Sequence, residues 1–131
     1  MIYYLDTDTL VSVLRGAEKP AMMIDSFPAD DIKIPSIVKA ELMYGAYKSK
    51  DVQRTMKGML SLIEPYDIAL FDDRAFDIYG RVRAELEKEG RTIGSNDLLI
   101  AATVMSRNGI LVTNNIKEFE RIKGLRLENW M

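Results

Sequence analysis

Five residues in this chain carry groups able to hold a hard cation, and four of them fall at a change of local pattern. Asp6 directly follows the apolar run Ile2-Tyr3-Tyr4-Leu5. Asn114 and Asn115 directly follow Ile110-Leu111-Val112-Thr113, and Asp97 opens the apolar stretch that precedes that run. Glu41 lies between Ala40 and Leu42, on or beside the apolar side of a helical pattern, where a carboxylate costs desolvation unless something pairs with it. Carboxylates that meet at one spot repel one another and their pKa values rise. A cation such as Mg²⁺ relieves that repulsion, activates a water, orients it toward phosphorus and stabilises the leaving oxygen. Metal-assisted phosphodiester hydrolysis is therefore the chemistry these side chains could perform.

Composition removes most rivals. The chain has no cysteine and no histidine. Disulfides, thiol nucleophiles, zinc–thiolate sites, Ser-His-Asp triads and histidine-based ribonuclease mechanisms are excluded. The remaining oxygen ligands favour Mg²⁺, Mn²⁺ or Ca²⁺. Twenty acids against 18 bases give a net charge of −2, which weighs mildly against a nucleic-acid binder. Net charge hides local patches, however, and acids that bind metal lose their charge in the working state.

Ordinary roles compete at every position. Asp97 could be an N-terminal helix acid favoured by the dipole. Glu41 could be solvated or ion-paired, Asp6 could form a strand-end turn, and Asp8 is most simply a helix cap. Position alone leaves both readings open. Gly45, one turn after Glu41, costs about 0.5–1 kcal/mol in a helix interior, and a close backbone approach is expected there.

The elements that must position these groups follow from periodicity and punctuation. Short apolar strands are expected at 2–5, 31–35, 68–70, 110–112 and 125–127. Helices are expected between them. The first is capped by Asp8 or Thr9, and one containing Pro20 follows; the next are capped by Ser36, by Asp51 and by Asp72 or Asp73. A largely buried helix should run from about Asp97 to Arg107, and a short turn from Ile116. All-apolar strands alternating with helices predict a three-layer α/β/α fold with a central, mainly parallel sheet of four to five strands. Residues 1–131 fit one domain, with 47% hydrophobic residues and no repeat or linker. No run of about 18 apolar residues exists to span a membrane, and the start lacks a secretory signal, so the cytoplasm is the expected compartment. The eight methionines, mostly at helical spacing, are expected as core or interface filler.

Four ordered segments resemble the PIN domain, and within it the VapC toxins of toxin–antitoxin modules. They are Tyr4-Leu5-Asp6-Thr7-Asp8, the run from Ile34-Pro35-Ser36 through Glu41 to Tyr44-Gly45, Ile93-Gly94-Ser95-Asn96-Asp97-Leu98-Leu99-Ile100-Ala101-Ala102, and Leu111-Val112-Thr113-Asn114-Asn115-Ile116-Lys117-Glu118-Phe119. The closing Gly124-Leu125-Arg126-Leu127-Glu128-Asn129-Trp130 is also typical. The resemblance covers essentially the whole chain. It implies a Mg²⁺- or Mn²⁺-dependent endoribonuclease acting on structured RNA such as tRNA or rRNA. Asp6, Glu41 and Asp97 match the family's first three acids and would hold the metal. Asn115 stands where many members have a fourth acid; it lowers the site's charge by one and puts a tightly bound second metal in doubt. Glu118 could add a carboxylate through water, and Thr7 and Thr113 would support the acids. The resemblance also implies a VapB-like antitoxin laid over an apolar groove near Met22, Met23, Met43 and Met56, and a homodimer. Lys39, Lys48, Arg81, Arg83 and Arg91 are candidates for RNA phosphate contacts.

Two other readings stay in view. One is a PIN-fold nucleic-acid-binding module without cleavage, for which Asn115 is the only hint. The other is a receiver-like Mg²⁺-binding signalling domain, in which Asp6 and Asp8 would form the acidic pair. A receiver also needs a phospho-acceptor Asp after a central strand and a Lys after a later one, and this chain offers neither.

Overall fold

The computed structural model describes residues 1–131. Five strands form one sheet: β1 (Tyr3–Leu5), β2 (Ile32–Pro35), β3 (Asp67–Ala69), β4 (Ile110–Val112) and β5 (Arg126–Glu128). The helices are α1 (Thr7–Leu14), α2 (Glu18–Asp25), α3 (Ser36–Lys48), α4 (Val52–Ile63), α5 (Asp73–Lys88), α6 (Ser95–Met105) and α7 (Ile116–Phe119). A 3₁₀ turn, Ala29–Asp31, leads into β2. The layers are α/β/α, as the apolar strands predict. No helix is long and apolar enough to cross a membrane.

The strand order is β3-β2-β1-β4-β5, and every pairing is parallel. The middle strands are the most buried, β4 along its whole length, while β5 has no buried residue. This accounts for the continuous apolar runs at the centre. The order differs from the 2-1-3-4-5 order of receiver-type domains, so topology removes that reading. The chain moves from β1 outward through β2 to β3, then returns to the other side of β1 for β4. The switch point therefore lies between β1 and β4, and ligand crevices of open α/β sheets form at the carboxyl ends of strands at such points.

Several local expectations are corrected. Asp6, not Asp8 or Thr9, is the N-cap of α1, because its carboxylate accepts from the Thr7 N–H at 2.8 Å. Thr9 is buried with its hydroxyl 3.4 Å from the Val112 carbonyl. Ser36 does not cap α3; its hydroxyl accepts from the Phe71 N–H at 3.2 Å and ties that helix to the loop after β3. Asp51 and Asp72 do cap their helices. The third and fifth strands sit one residue from their expected bounds.

Gly45 meets no close backbone: a Cβ added there would find nothing within 4 Å. The glycine that permits close approach is Gly109, where an added Cβ would overlap the Tyr4 ring. The Tyr4 ring thus fills the space beside β4 that any larger residue would claim.

Candidate active site

β1 and β4 pair with Leu5 opposite Val112, so the next residues, Asp6 and Thr113, emerge side by side at the switch point. The Asp6 N–H continues the ladder to the Val112 carbonyl at 2.9 Å. Both carboxylate oxygens of Asp6 are held: Oδ1 accepts from the Thr7 N–H at 2.8 Å, and Oδ2 accepts from the Thr113 hydroxyl at 2.7 Å. Asp6 is only 5% exposed. Burial pushes its carboxyl up to about 6, with Asp8 and Glu41 adding repulsion, against the lowering effect of the Thr113 and Thr7 hydrogen bonds.

Asp97 enters from the first turn of α6. Its carboxyl is pushed up to about 7, first by burial and then by the charges of Asp6 and Glu118, with a smaller contribution from Glu41. Glu118, on α7, moves the other way. Its Oε1 accepts from the Gly94 N–H at 3.1 Å and its Oε2 accepts from the Asn115 side-chain amide at 2.8 Å, which lowers its pKa. Of this coupled pair, Asp97 is the one that takes the proton.

Glu41 arrives from the second turn of α3. The Thr7 hydroxyl donates to its Oε1 at 2.7 Å, and the Asn96 amide lies 3.5 Å from its Oε2. This answers the desolvation problem that its sequence position raised. Asn115 donates its backbone N–H to the Thr113 hydroxyl at 3.0 Å, so the loop after β4 is pinned to the hydroxyl that holds Asp6.

One recess of about 370 Å³ brings these groups together; Asp6, Thr7, Asp8, Glu41, Asp97 and Asn115 line it. Asp6, Glu41, Asp97 and Asn115 thus share one opening. Thr7 lies on its wall, while Thr113 and Glu118 act from behind through hydrogen bonds. No three of the acids already converge as a closed cation cage. The donor set nevertheless fits a hard divalent cation: the side chains offer oxygen ligands, and the carboxyls of Asp6 and Asp97, raised by burial first and by their acidic neighbours second, are groups whose charge a cation would offset.

Two contributors escape a reading of sequence position. Asp8 lines the recess and accepts from the Asn114 N–H at 3.2 Å, bridging the start of α1 to the loop after β4. The Asp-x-Asp spacing was visible, but the preference of Asp for helix caps gave it a sufficient local explanation. Asn96 touches Glu41 across 55 residues, a relation that no local pattern carries.

A second recess, of about 340 Å³ and mostly apolar, adjoins the acids at Thr7 and Glu41 and runs between α1, α3 and α4 past Val11, Leu14, Leu42 and Met59. None of Met22, Met23, Met43 and Met56 lines it. Met22 is 71% exposed, and Met56 belongs to a shallower groove along α4.

The PIN domain family model matches residues 3–125. The chain is 41% identical to ribonuclease VapC2 of Rickettsia felis over 99% of this chain and 98% of that protein. It is 37% identical to the tRNA(fMet)-specific endonuclease VapC of Shigella flexneri, covering 98% of this chain and 97% of that one. Its fold is similar to a chain in the crystal structure of VapBC2 from Rickettsia felis bound to a DNA fragment from their promoter, with a TM-score of 0.94, 39% identity and full coverage of both chains.

Proposed function

The chain belongs to the PIN-domain family, and we propose that it is the toxin endoribonuclease of a toxin–antitoxin module, cleaving RNA at the recess held by Asp6, Glu41 and Asp97. The observation that carries this reading is the gathering of Asp6, Asp8, Glu41, Asp97 and Asn115 around one opening at the β1/β4 switch point. Identity along the whole chain to proteins named as VapC ribonucleases supports RNA as the substrate. The name of the Shigella flexneri relative makes a structured RNA such as tRNA the first substrate to try.

PIN-domain nucleases depend on a divalent metal, and Mg²⁺, with Mn²⁺ as its substitute, is the ion proposed for this site. When bound, such an ion lowers the pKa of a water and offsets charge developing on the phosphate oxygens. Asp6, Asp97 and Glu41 supply the anionic oxygens that would hold it. Thr113 and the Thr7 N–H fix the two oxygens of Asp6, so little side-chain freedom is lost on binding. Asn115 would offer an amide oxygen in place of a fourth carboxylate, so these residues would hold one ion firmly and a second only weakly. Glu118 keeps its charge and orients the Asn115 amide.

The partner is a VapB-like antitoxin, as in the VapBC complexes to which the fold is similar. The apolar recess between α1, α3 and α4 is the proposed docking groove, because it opens directly onto Thr7 and Glu41.

Asp6→Asn and Asp97→Asn test the nuclease reading. Each is expected to abolish Mg²⁺- or Mn²⁺-dependent cleavage of tRNA and to relieve growth arrest on expression. Cleavage by both variants at the parent rate would overturn the assignment. A parent protein that binds RNA but never cuts it would favour the binding-module reading.

A further inference from the structure

A third recess opens beside the acids, on the side of α3 that faces α6. It measures about 490 Å³ and is lined by Thr7, Glu41, Tyr44 and Asn96, with Ile37 and Leu99 supplying apolar surface. It shares Thr7 and Glu41 with the acidic recess, so whatever fills it touches the reaction centre. Tyr44 stands one helical turn beyond Glu41, and 66% of it is exposed. What distinguishes Tyr44 from the other exposed aromatic side chains is that it lines a recess shared with Glu41, where its ring offers a flat apolar face to an occupant. One turn further, the Lys48 ammonium lies 5.8 Å from the Tyr44 ring centroid.

We propose that Tyr44 and Asn96 form a base subsite that receives an unstacked nucleobase flanking the scissile phosphate; this inference rests on the ribonuclease reading above. The occupant follows from the chemistry of the walls. A flat ring beside aliphatic surface accepts the π-face of a base, and single-stranded RNA bases are commonly held by stacking on aromatic side chains. The Asn96 amide offers a donor and an acceptor to a base edge. Lys48, outside the recess lining, is placed for the adjoining phosphate. The volume falls within the range of about 300–1,000 Å³ typical of small-ligand sites, ample for a base with its ribose. Thr7 and Asn96 each hold one oxygen of Glu41, which leaves the second N–H and the carbonyl oxygen of the Asn96 amide for a polar occupant.

The test pairs protein variants with substrate variants. Parent, Tyr44→Ala and Tyr44→Phe are assayed by kcat/KM on a short synthetic RNA, taken from a tRNA, that the parent cuts, and on the same RNA carrying an abasic ribose at each position flanking the cut. Tyr44→Ala is expected to lose roughly 5- to 150-fold in kcat/KM, the span set by typical base–aromatic stacking, with Tyr44→Phe recovering most of it. The parent should lose a similar factor on one abasic substrate, and Tyr44→Ala should lose little more on that substrate. That non-additivity identifies the stacked base. Equal cleavage of all substrates by parent and Tyr44→Ala would overturn the subsite and leave the nuclease reading standing. A change in oligomeric mass, or loss of antitoxin binding, with catalysis of the free protein intact would assign the face to another chain and also overturn it. If the parent cleaves no RNA in the presence of Mg²⁺ or Mn²⁺, both readings fall together.

Discussion

The Thr113 hydroxyl donates to Oδ2 of Asp6 at 2.7 Å, joining two residues 107 positions apart in a buried pair at the β1/β4 switch point. The same hydroxyl accepts from the Asn115 N–H at 3.0 Å. One oxygen atom thus couples the first acid to the loop that carries the amide corner of the site. The parallel register, which sets Leu5 opposite Val112, is what places both residues on one edge.

Thr113→Val should therefore damage the site more than its change in volume suggests. It leaves a buried carboxylate oxygen and a backbone N–H without their partner, at a cost of about 1–3 kcal/mol. Urea unfolding measures that loss, and single-turnover RNA cleavage should fall with it. Thr113→Ser, which keeps the hydroxyl, should recover most of both. Equal behaviour of the Val and Ser variants would remove the hydroxyl from the account.

The raised carboxyls make a prediction about pH and metal together. In the absence of metal, Asp6 is held up at about 6 and Asp97 at about 7, against an ordinary 3.8. The folded chain binds these protons more tightly than the unfolded chain does. The resulting stability is complete below about pH 4 and is lost as pH rises through 6 and 7. A bound divalent cation displaces those protons, so its stabilising effect should grow over the same window. Melting temperatures at pH 5 and pH 8, with EDTA or with Mg²⁺, measure this. The gain from Mg²⁺ should be larger at pH 8, and an equal gain at both values would place the ion elsewhere.

Glu118→Gln isolates the electrostatic coupling behind the recess. Glu118 accepts from Gly94 and Asn115 and raises the pKa of Asp97. Neutralising it should lower the Asp97 carboxyl from about 7, a shift that carbon-detected NMR titration of the metal-free protein reads directly. It should also weaken Mn²⁺ binding by about 10- to 100-fold, the usual effect of removing a group that orients ligands from behind. If the Asp97 titration does not move, the two carboxyls are uncoupled.

What could be read from the sequence was whatever a single element determines. The apolar runs at 2–5 and 110–112 announced central strands, because parallel strands covered on both faces have no polar side. Asp6 and Asp97 were visible as acids at element boundaries. Relations between elements were not visible. The contact of Asn96 with Glu41 depends on how α3 meets α6, and the bond from Asp8 to Asn114 depends on strand order. Capping preference points to Asp8 and Ser36 as helix caps, because it names a residue type without naming the tertiary partner that competes for it. Gly45 sits in a helical pattern and Gly109 just before a strand, but neither position reveals from sequence which glycine another side chain approaches; the Tyr4 ring decides it.

Gly109→Ala checks that distinction. The added Cβ would overlap the Tyr4 ring beside β4, and relief requires the ring or the strand to shift. Overpacking of this kind costs about 1–3 kcal/mol, whereas Gly45→Ala adds a methyl to open space within a helix and should stabilise by about 0.4–1 kcal/mol. Thermal or urea unfolding of the two variants should give shifts of opposite sign.

Leu14→Asp tests the groove assigned to the antitoxin. Leu14 is 41% exposed on the wall of the apolar recess, at the last residue of α1. A carboxylate there would need desolvation against the apolar segment of a partner. Antitoxin affinity should fall about tenfold or more, measured by titration calorimetry with the cognate partner. Cleavage by the free protein should change far less, because Asp6 and Glu41 keep their hydrogen-bond partners. A variant that still binds the antitoxin at parent affinity would move the docking surface away from this recess, toward the shallower groove along α4 where Met56 lies.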